Sequence, residues 1–234
     1  MKRAADIPTL HPTARTVALT SGKGGAAKTT TSVALAARLA ANGHNVVLVD
    51  MDVPAPNAAI IAEVTEPRFK ARAGLVEIVL PESPYGFRVA SPTGFANGAS
   101  FTDMTDLPLW VNNVDVVIYD LPGGWTQAQE KVMANFVDIV IAVSPPTPSA
   151  LSDHAAQIRH LMASVPKAEE KVRSSDKRRK FEFPTTKILT IETLAEHLGT
   201  LNGKVVKVRR IDAVTPEEAA ALIAPEGTEF AGSI

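Results

Sequence analysis

The stretch Ser21-Gly22-Lys23-Gly24-Gly25-Ala26-Ala27-Lys28-Thr29-Thr30 carries the residue types needed to hold a chain of phosphates. Small residues let consecutive backbone N–H groups turn inward around an anion, and a helix opening directly behind them adds the partial positive charge of its N-terminus. Lys28 is placed to meet the β- and γ-phosphates as a point charge, and the Thr29 hydroxyl to ligate Mg²⁺. The spacing follows the phosphate-loop pattern G-x-x-x-x-G-K-[ST] from Gly22, with one departure: Ala27 stands where the pattern has its second glycine. A methyl group there can crowd the nucleotide or force a strained dihedral. Either the loop relaxes and binding survives, or the site is impaired; the sequence leaves both readings open.

Carboxylates close two of the apolar runs. Leu48-Val49-Asp50-Met51-Asp52 ends one, and Val116-Val117-Ile118-Tyr119-Asp120-Leu121-Pro122-Gly123-Gly124 contains the other. An apolar strand ending in aspartate puts its carboxylate at the C-terminal edge of a sheet, where ligands bind in open α/β folds. The five histidines, His11, His44, His154, His160 and His197, show no metal-ligand spacing and read as ordinary surface or helix residues.

These groups need a scaffold, and the pattern supplies one. Strands are expected over Thr16–Thr20, Val46–Val49, Phe87–Ala90, Val114–Tyr119 and Ile139–Val143. Helices are expected over Lys28–Ala41, from about Thr126 to Phe136, and from about Ser149 to Met162. Asn42-Gly43 ends the first helix, because glycine tolerates the left-handed conformation there. Continuous apolar runs such as Val46–Val49 are what a parallel sheet covered on both faces produces. The alternation therefore predicts an α/β fold, doubly wound, with a mostly parallel sheet and helices on both faces. Farther on, a strand Ile188–Ile191, a helical Glu192–Leu198, a strand Val205–Ile211 and a helix from Pro216 read as one more α/β repeat. The organisation expected is a lead-in over 1–15 and a single domain over 16–234.

Composition narrows the chemistry. Of 234 residues 45% are apolar and 21% charged, and 24 basic against 25 acidic residues give a formal charge of −1, so the whole surface is no polycation. None is cysteine, which removes a disulfide scaffold, a thiolate metal site, a cysteine nucleophile and a cysteine-held iron–sulfur cluster. No run approaches 18 apolar residues, and Asp6, Pro8 and Pro12 interrupt the place where a signal peptide needs its apolar core, so the cytoplasm is the expected compartment.

Lys23-Gly24-Gly25-Ala26-Ala27-Lys28-Thr29 resembles the deviant Walker A loop of the ParA/MinD superfamily, K-G-G-x-G-K-[ST], at every position but Ala27. The resemblance, which covers about residues 16 to 148, implies a P-loop fold and an ATPase that binds Mg-ATP within Gly22–Thr30. Lys23 would reach across an ATP-bound homodimer to the partner's phosphates. Asp52, 29 residues after Lys23, matches the acid that orients the attacking water. Asp50 would support Mg²⁺ through its water shell, Asp120 would hold a magnesium-bound water, and Asn57 matches a MinD-like asparagine. The magnesium set is then Thr29, Asp50 and Asp120, and the catalytic set Lys23, Lys28 and Asp52. Pro122-Gly123-Gly124 resembles the switch that senses the γ-phosphate.

The function implied is a switch, alternating between ATP and ADP, that positions or partitions a cargo, either DNA or a protein complex, with an activating partner protein. The alternative is a nucleotide-impaired member, with Ala27 as the lesion, acting as a binding protein without turnover. A synthetase of the dethiobiotin or cobyrinate type would need a small-molecule pocket that no residue cluster specifies. Basic residues in Lys167–Lys180 and the group Lys204, Lys207, Arg209 and Arg210 could neutralise DNA phosphates without reading sequence. They could equally be a solvated loop and an exposed strand face. The end of the chain is no basic amphipathic helix, so no membrane anchor of the MinD kind is recognised.

Overall fold

The computed structural model describes residues 14–66, 70–71, 78–95, 99–100, 104, 111–124, 137–145, 147–175, 187–192, 196–201, 204–209 and 229–233. Their contacts gather into two compact units, one of residues 1–17 and 29–121, the other of 18–28 and 122–234. Strand β1 (Arg15–Thr20) begins in the first unit and ends in the second.

The first unit is built on β2 (Val46–Asp50), whose Val46, Val47, Leu48 and Val49 are all buried. A strand apolar at every position has no face for water and must be flanked and covered. β2 accordingly lies between β5 (Arg88–Ala90) and β6 (Val116–Asp120), parallel to both. Its register against β6 runs from Val46 opposite Val116 to Asp50 opposite Asp120. The Asp115 carboxylate fixes the starting end by accepting the Asn45 backbone N–H at 2.8 Å and the side-chain amide at 3.0 Å. Those two hydrogen bonds hold the Asp115 carboxyl below its ordinary range.

Helix α1 (Lys28–Ala41) has the bounds the periodicity predicts. It ends in a Schellman arrangement: Gly43 takes φ +89°, its N–H reaches the Ala40 carbonyl at 2.8 Å, and the His44 N–H reaches Leu39 at 3.2 Å. A one-turn helix α2 (Ala58–Ile61), a short antiparallel pair, β3 (Lys70–Ala71) and β4 (Ile78–Val79), and a 3-10 turn at Pro92–Gly94 complete the described elements of this unit.

In the second unit β7 (Ile139–Ser144) pairs in parallel with β8 (Lys187–Glu192), and β8 with β11 (Glu229–Ser233), where the register shifts between Phe230 and Gly232. Two expectations are corrected here. The helix begun near Ser149 does not stop at Met162 but runs as α3 over Pro148–Ser175, so the basic stretch is helical as far as Ser175.

The expected helix Glu192–Leu198 is absent. Glu192 closes β8, and β9 (Glu196–Leu201) pairs antiparallel with β10 (Lys204–Arg209). The signal was present as Asn202-Gly203, the dipeptide that favours a two-residue hairpin turn, between two β-capable runs. The helices expected over 126–136 and from Pro216, and the basic residues 176–180 and 210, lie outside the described residues. Among the described residues no helix is long and apolar enough to cross a membrane.

Leu48 is fully buried in the central strand of the first unit. Leu48→Ala removes a side chain between two fixed neighbours, and is expected to lower the unfolding free energy by about 3 kcal/mol. Urea denaturation of the two chains checks it.

Candidate functional site

The loop after β1 is shaped by backbone packing. A Cβ on Gly22 would stand 2.6 Å from the carbonyl carbon of Asp153 in α3, and one on Gly123 would stand 2.7 Å from the Gly24 nitrogen. Neither position admits a side chain. The Gly124 N–H donates to the Ser21 carbonyl at 3.0 Å, and the Ser21 hydroxyl donates to the Lys23 carbonyl at 2.8 Å. The Pro122-Gly123-Gly124 turn is therefore packed and hydrogen-bonded against the loop. At Gly123 the need for glycine is lack of space, where sequence reasoning offered only flexibility.

Gly25 and Ala27 both take positive φ, +77° and +58°. The loop thus keeps at Ala27 the left-handed conformation that glycine adopts freely, and alanine holds it at a cost of about 1 kcal/mol. Gly24 and Gly25 are exposed, Ala26 and the Lys28 side chain are buried, and Thr29 is half-buried. Thr30 is exposed. The first turn of α1 carries no acidic residue, so no carboxylate of that turn answers the positive end of its dipole.

Lys23 turns back within its own chain, its Nζ donating to the Ser149 hydroxyl on the first turn of α3 at 3.0 Å. Farther along α3 the buried Gln157 donates from Nε2 to Thr20 Oγ1, and His154 is also fully buried. α3 thus meets the loop through Ser149 and Asp153 and the end of β1 through Gln157, a set that motif reading missed. The spacing of about one turn is its only trace in the sequence.

In the other unit, Asp50 and Asp120 stand side by side at the ends of paired strands, 0% and 1% exposed. Asp50 is engaged in full view of the backbone: Oδ1 accepts the Asp52 N–H at 3.1 Å, and Oδ2 accepts the N–H groups of Asn57 and Ala58, each at 2.9 Å. It therefore holds the segment 51–58 in shape. Asp52 is left half-exposed, and Asn57 contributes its backbone rather than its side chain.

Asp120 Oδ1 accepts a hydrogen bond from the buried Ser32 hydroxyl at 3.0 Å. Ser32 was also missed, since it lies beyond the phosphate motif. The Asp50 carboxyl is pushed up to about 6, first by burial and then by the neighbouring Asp120 charge, against the lowering effect of its three N–H donors.

Among the described residues no three acids and histidines gather as a metal cage. Two buried carboxylates beside each other, with the Thr29 hydroxyl in the same unit, instead suit a small hard cation that keeps most of its own waters and takes the rest of its ligands from phosphate.

A family profile described as the CobQ/CobB/MinD/ParA nucleotide binding domain matches residues 17–215. The chain is 28% identical over 166 residues to an iron-sulfur cluster carrier protein of Pseudomonas fragi, covering 64% of this chain and 56% of that one. It is 29% identical over 154 residues to the flagellum site-determining protein YlxH of Helicobacter pylori, covering 61% and 52%. It thus spans about half the length of these curated relatives.

Among solved structures, it resembles a nucleotide-binding protein from Archaeoglobus fulgidus in complex with ADP, with a TM-score of 0.64 at 19% identity over 94% of this chain and 81% of that one. It also resembles the septum site-determining protein MinD of Pyrococcus horikoshii complexed with Mg-ADP, with a TM-score of 0.58 at 18% identity and the same coverage. The likeness establishes the expected fold class, a doubly wound α/β fold with a parallel sheet.

A carboxyl at 3.8 in the unfolded chain and about 6 in the folded one makes the folded state bind more protons between those values. Stability therefore falls as pH rises through that window, by about 3 kcal/mol in all. Carboxyl-carbon NMR of the folded protein should show Asp50 titrating near 6, and Asp120→Asn, by removing a neighbouring negative charge, should move that midpoint down.

Proposed function

The chain belongs to the CobQ/CobB/MinD/ParA family of nucleotide-binding domains, and from that premise we propose that it is an ATPase switch that binds Mg-ATP, dimerises around it and positions or partitions a cargo in the cytoplasm. The observation that carries the reading is the loop itself: Ala27 at φ +58° keeps the backbone a glycine would give. Among relatives, the site-determining proteins YlxH and MinD support the positioning role.

In this reading the N–H groups of Gly22–Thr30 bind the phosphates, with Lys28 at the β- and γ-positions. Lys23 leaves Ser149 to reach the partner's nucleotide. Asp52, half-exposed, accepts a hydrogen bond from the attacking water and aims it in line with the departing ADP. Lys23 and Lys28 offset charge on the transferring phosphoryl group. Thr29 ligates Mg²⁺ and Asp120 holds one of its waters, while Asp50 retains one Oδ1 lone pair for another after its three N–H bonds. The cation, when bound, screens the phosphate charge.

The iron–sulfur role of one relative does not carry over, because the chain has no cysteine to ligate a cluster. Lys167, Lys171 and Arg173 on α3, with Lys204, Lys207 and Arg209 on β10, are the described positions that would serve a DNA cargo.

Calorimetric titration with ATP, ADP and GTP, with light scattering at saturating ATP, tests the proposal. A dimer formed with ATP and lost in Lys23→Ala is expected; a strict monomer at saturation sinks the reading. The strain at Ala27 is the observation that favours the impaired alternative. Ala27→Gly should raise stability to urea by up to about 1 kcal/mol and change ADP affinity only a few-fold. Hydrolysis that appears only in the glycine variant would select the alternative.

A further inference from the structure

The phosphate motif ends at Thr29-Thr30, yet Asp120 is also met by Ser32, almost one helical turn farther along α1. Ser32 is 0% exposed and its hydroxyl donates to Asp120 Oδ1 at 3.0 Å. A serine inside a helix ordinarily turns its single hydroxyl proton back to a carbonyl of the preceding turn. Here the proton goes across to a strand. The Asp120 backbone is already fixed, with its carbonyl accepting the Met51 N–H at 2.9 Å and its Cα paired with Asp50. Its side chain is tied to α1 through the Ser32 hydroxyl. Asp50, a second buried carboxylate, is its register partner, and the two like charges repel.

We propose that Ser32 is a positioning residue that fixes the rotation of the Asp120 carboxylate, so that its second oxygen is presented to a water of the magnesium–nucleotide complex. The inference rests on the reading of Asp120 as the residue that holds that water. Asp120 supplies the charge and Ser32 its direction. Removing the hydroxyl leaves the carboxylate in place without this tie to α1. The loss should therefore appear in the magnesium-dependent part of nucleotide binding and not in the part due to the phosphate loop. Partners that orient a metal's ligands carry about tenfold or more in metal affinity, and about tenfold is expected for a group acting through a bound water.

The test is the ratio of ADP affinities measured calorimetrically with Mg²⁺ and with a chelator, in wild type, Ser32→Ala, Asp120→Asn and the double variant. The expected result is a ratio about tenfold smaller in Ser32→Ala, with chelator affinity unchanged, and no further loss when Ser32→Ala is added to Asp120→Asn. A thermal melt accompanies each variant. If Ser32→Ala melts below the assay temperature, Ser32→Cys, nearly the same size with a weaker donor, is read by the same ratio. A wild type whose affinity ignores Mg²⁺ overturns the reading of Asp120 and this inference with it. A magnesium-dependent wild type whose ratio survives the loss of the Ser32 hydroxyl overturns this inference alone, as does an equal loss in the Asp120→Asn background.

Discussion

The register between β2 and β6 is the constraint on which the pair of buried carboxylates depends. It is set at one end by Asp115 gripping Asn45, and it delivers Asp50 opposite Asp120 at the other. Shifting it by one residue would put the two carboxylates on opposite faces of the sheet. Two carboxylates this close and this buried repel each other, and the structure answers with donors. Three backbone N–H groups converge on Asp50 and the Ser32 hydroxyl on Asp120. These bonds do not cancel the desolvation, which is why the Asp50 carboxyl stays raised. Two buried carboxylates that are costly to charge together gain from a cation placed beside them.

The phosphate loop is held by a different physics, that of close backbone approach. Gly22 lies against α3 and Gly123 against Gly24, with no room for a methyl group at either. The loop, the turn at 122–124 and the first turns of α3 are thus packed as one body within their unit. In that setting Ala27 is tolerated as a local backbone strain, not accommodated by a rebuilt loop. Lys23, half-buried, is tied to the first turn of α3 through its bond to the Ser149 hydroxyl.

Much of the fold was legible in the sequence because buried parallel strands are apolar at every position. Val46–Asp50, Val116–Asp120 and Ile139–Ser144 each match an expected run to within two residues. The reading failed where local pattern was ambiguous. Glu192–Leu198 has a helix-compatible composition, but Glu192 closes β8 and Glu196–Leu198 pair with Lys207–Arg209 of β10, a pairing that the Asn202-Gly203 dipeptide favours in sequence. The helix from Pro148 outruns its expected end because nothing in Met162–Ser175 breaks it except Pro166, which the helix contains.

By itself, then, the sequence determined the chemistry on offer: a phosphate loop with one alanine, three aspartates at strand ends, and no cysteine. These follow from residue type and short spacing, which need no partner to be read. Only the tertiary structure decided how that chemistry is held. Asp50 proves to be as much a clamp on residues 51–58 as a magnesium candidate, because its oxygens meet N–H groups up to eight residues away. Ser32 becomes the neighbour of Asp120, 88 residues distant, and Ser149 the neighbour of Lys23, 126 residues distant. Contacts between residues so far apart leave no mark on local pattern; they exist only once strand register and helix packing have closed the chain on itself.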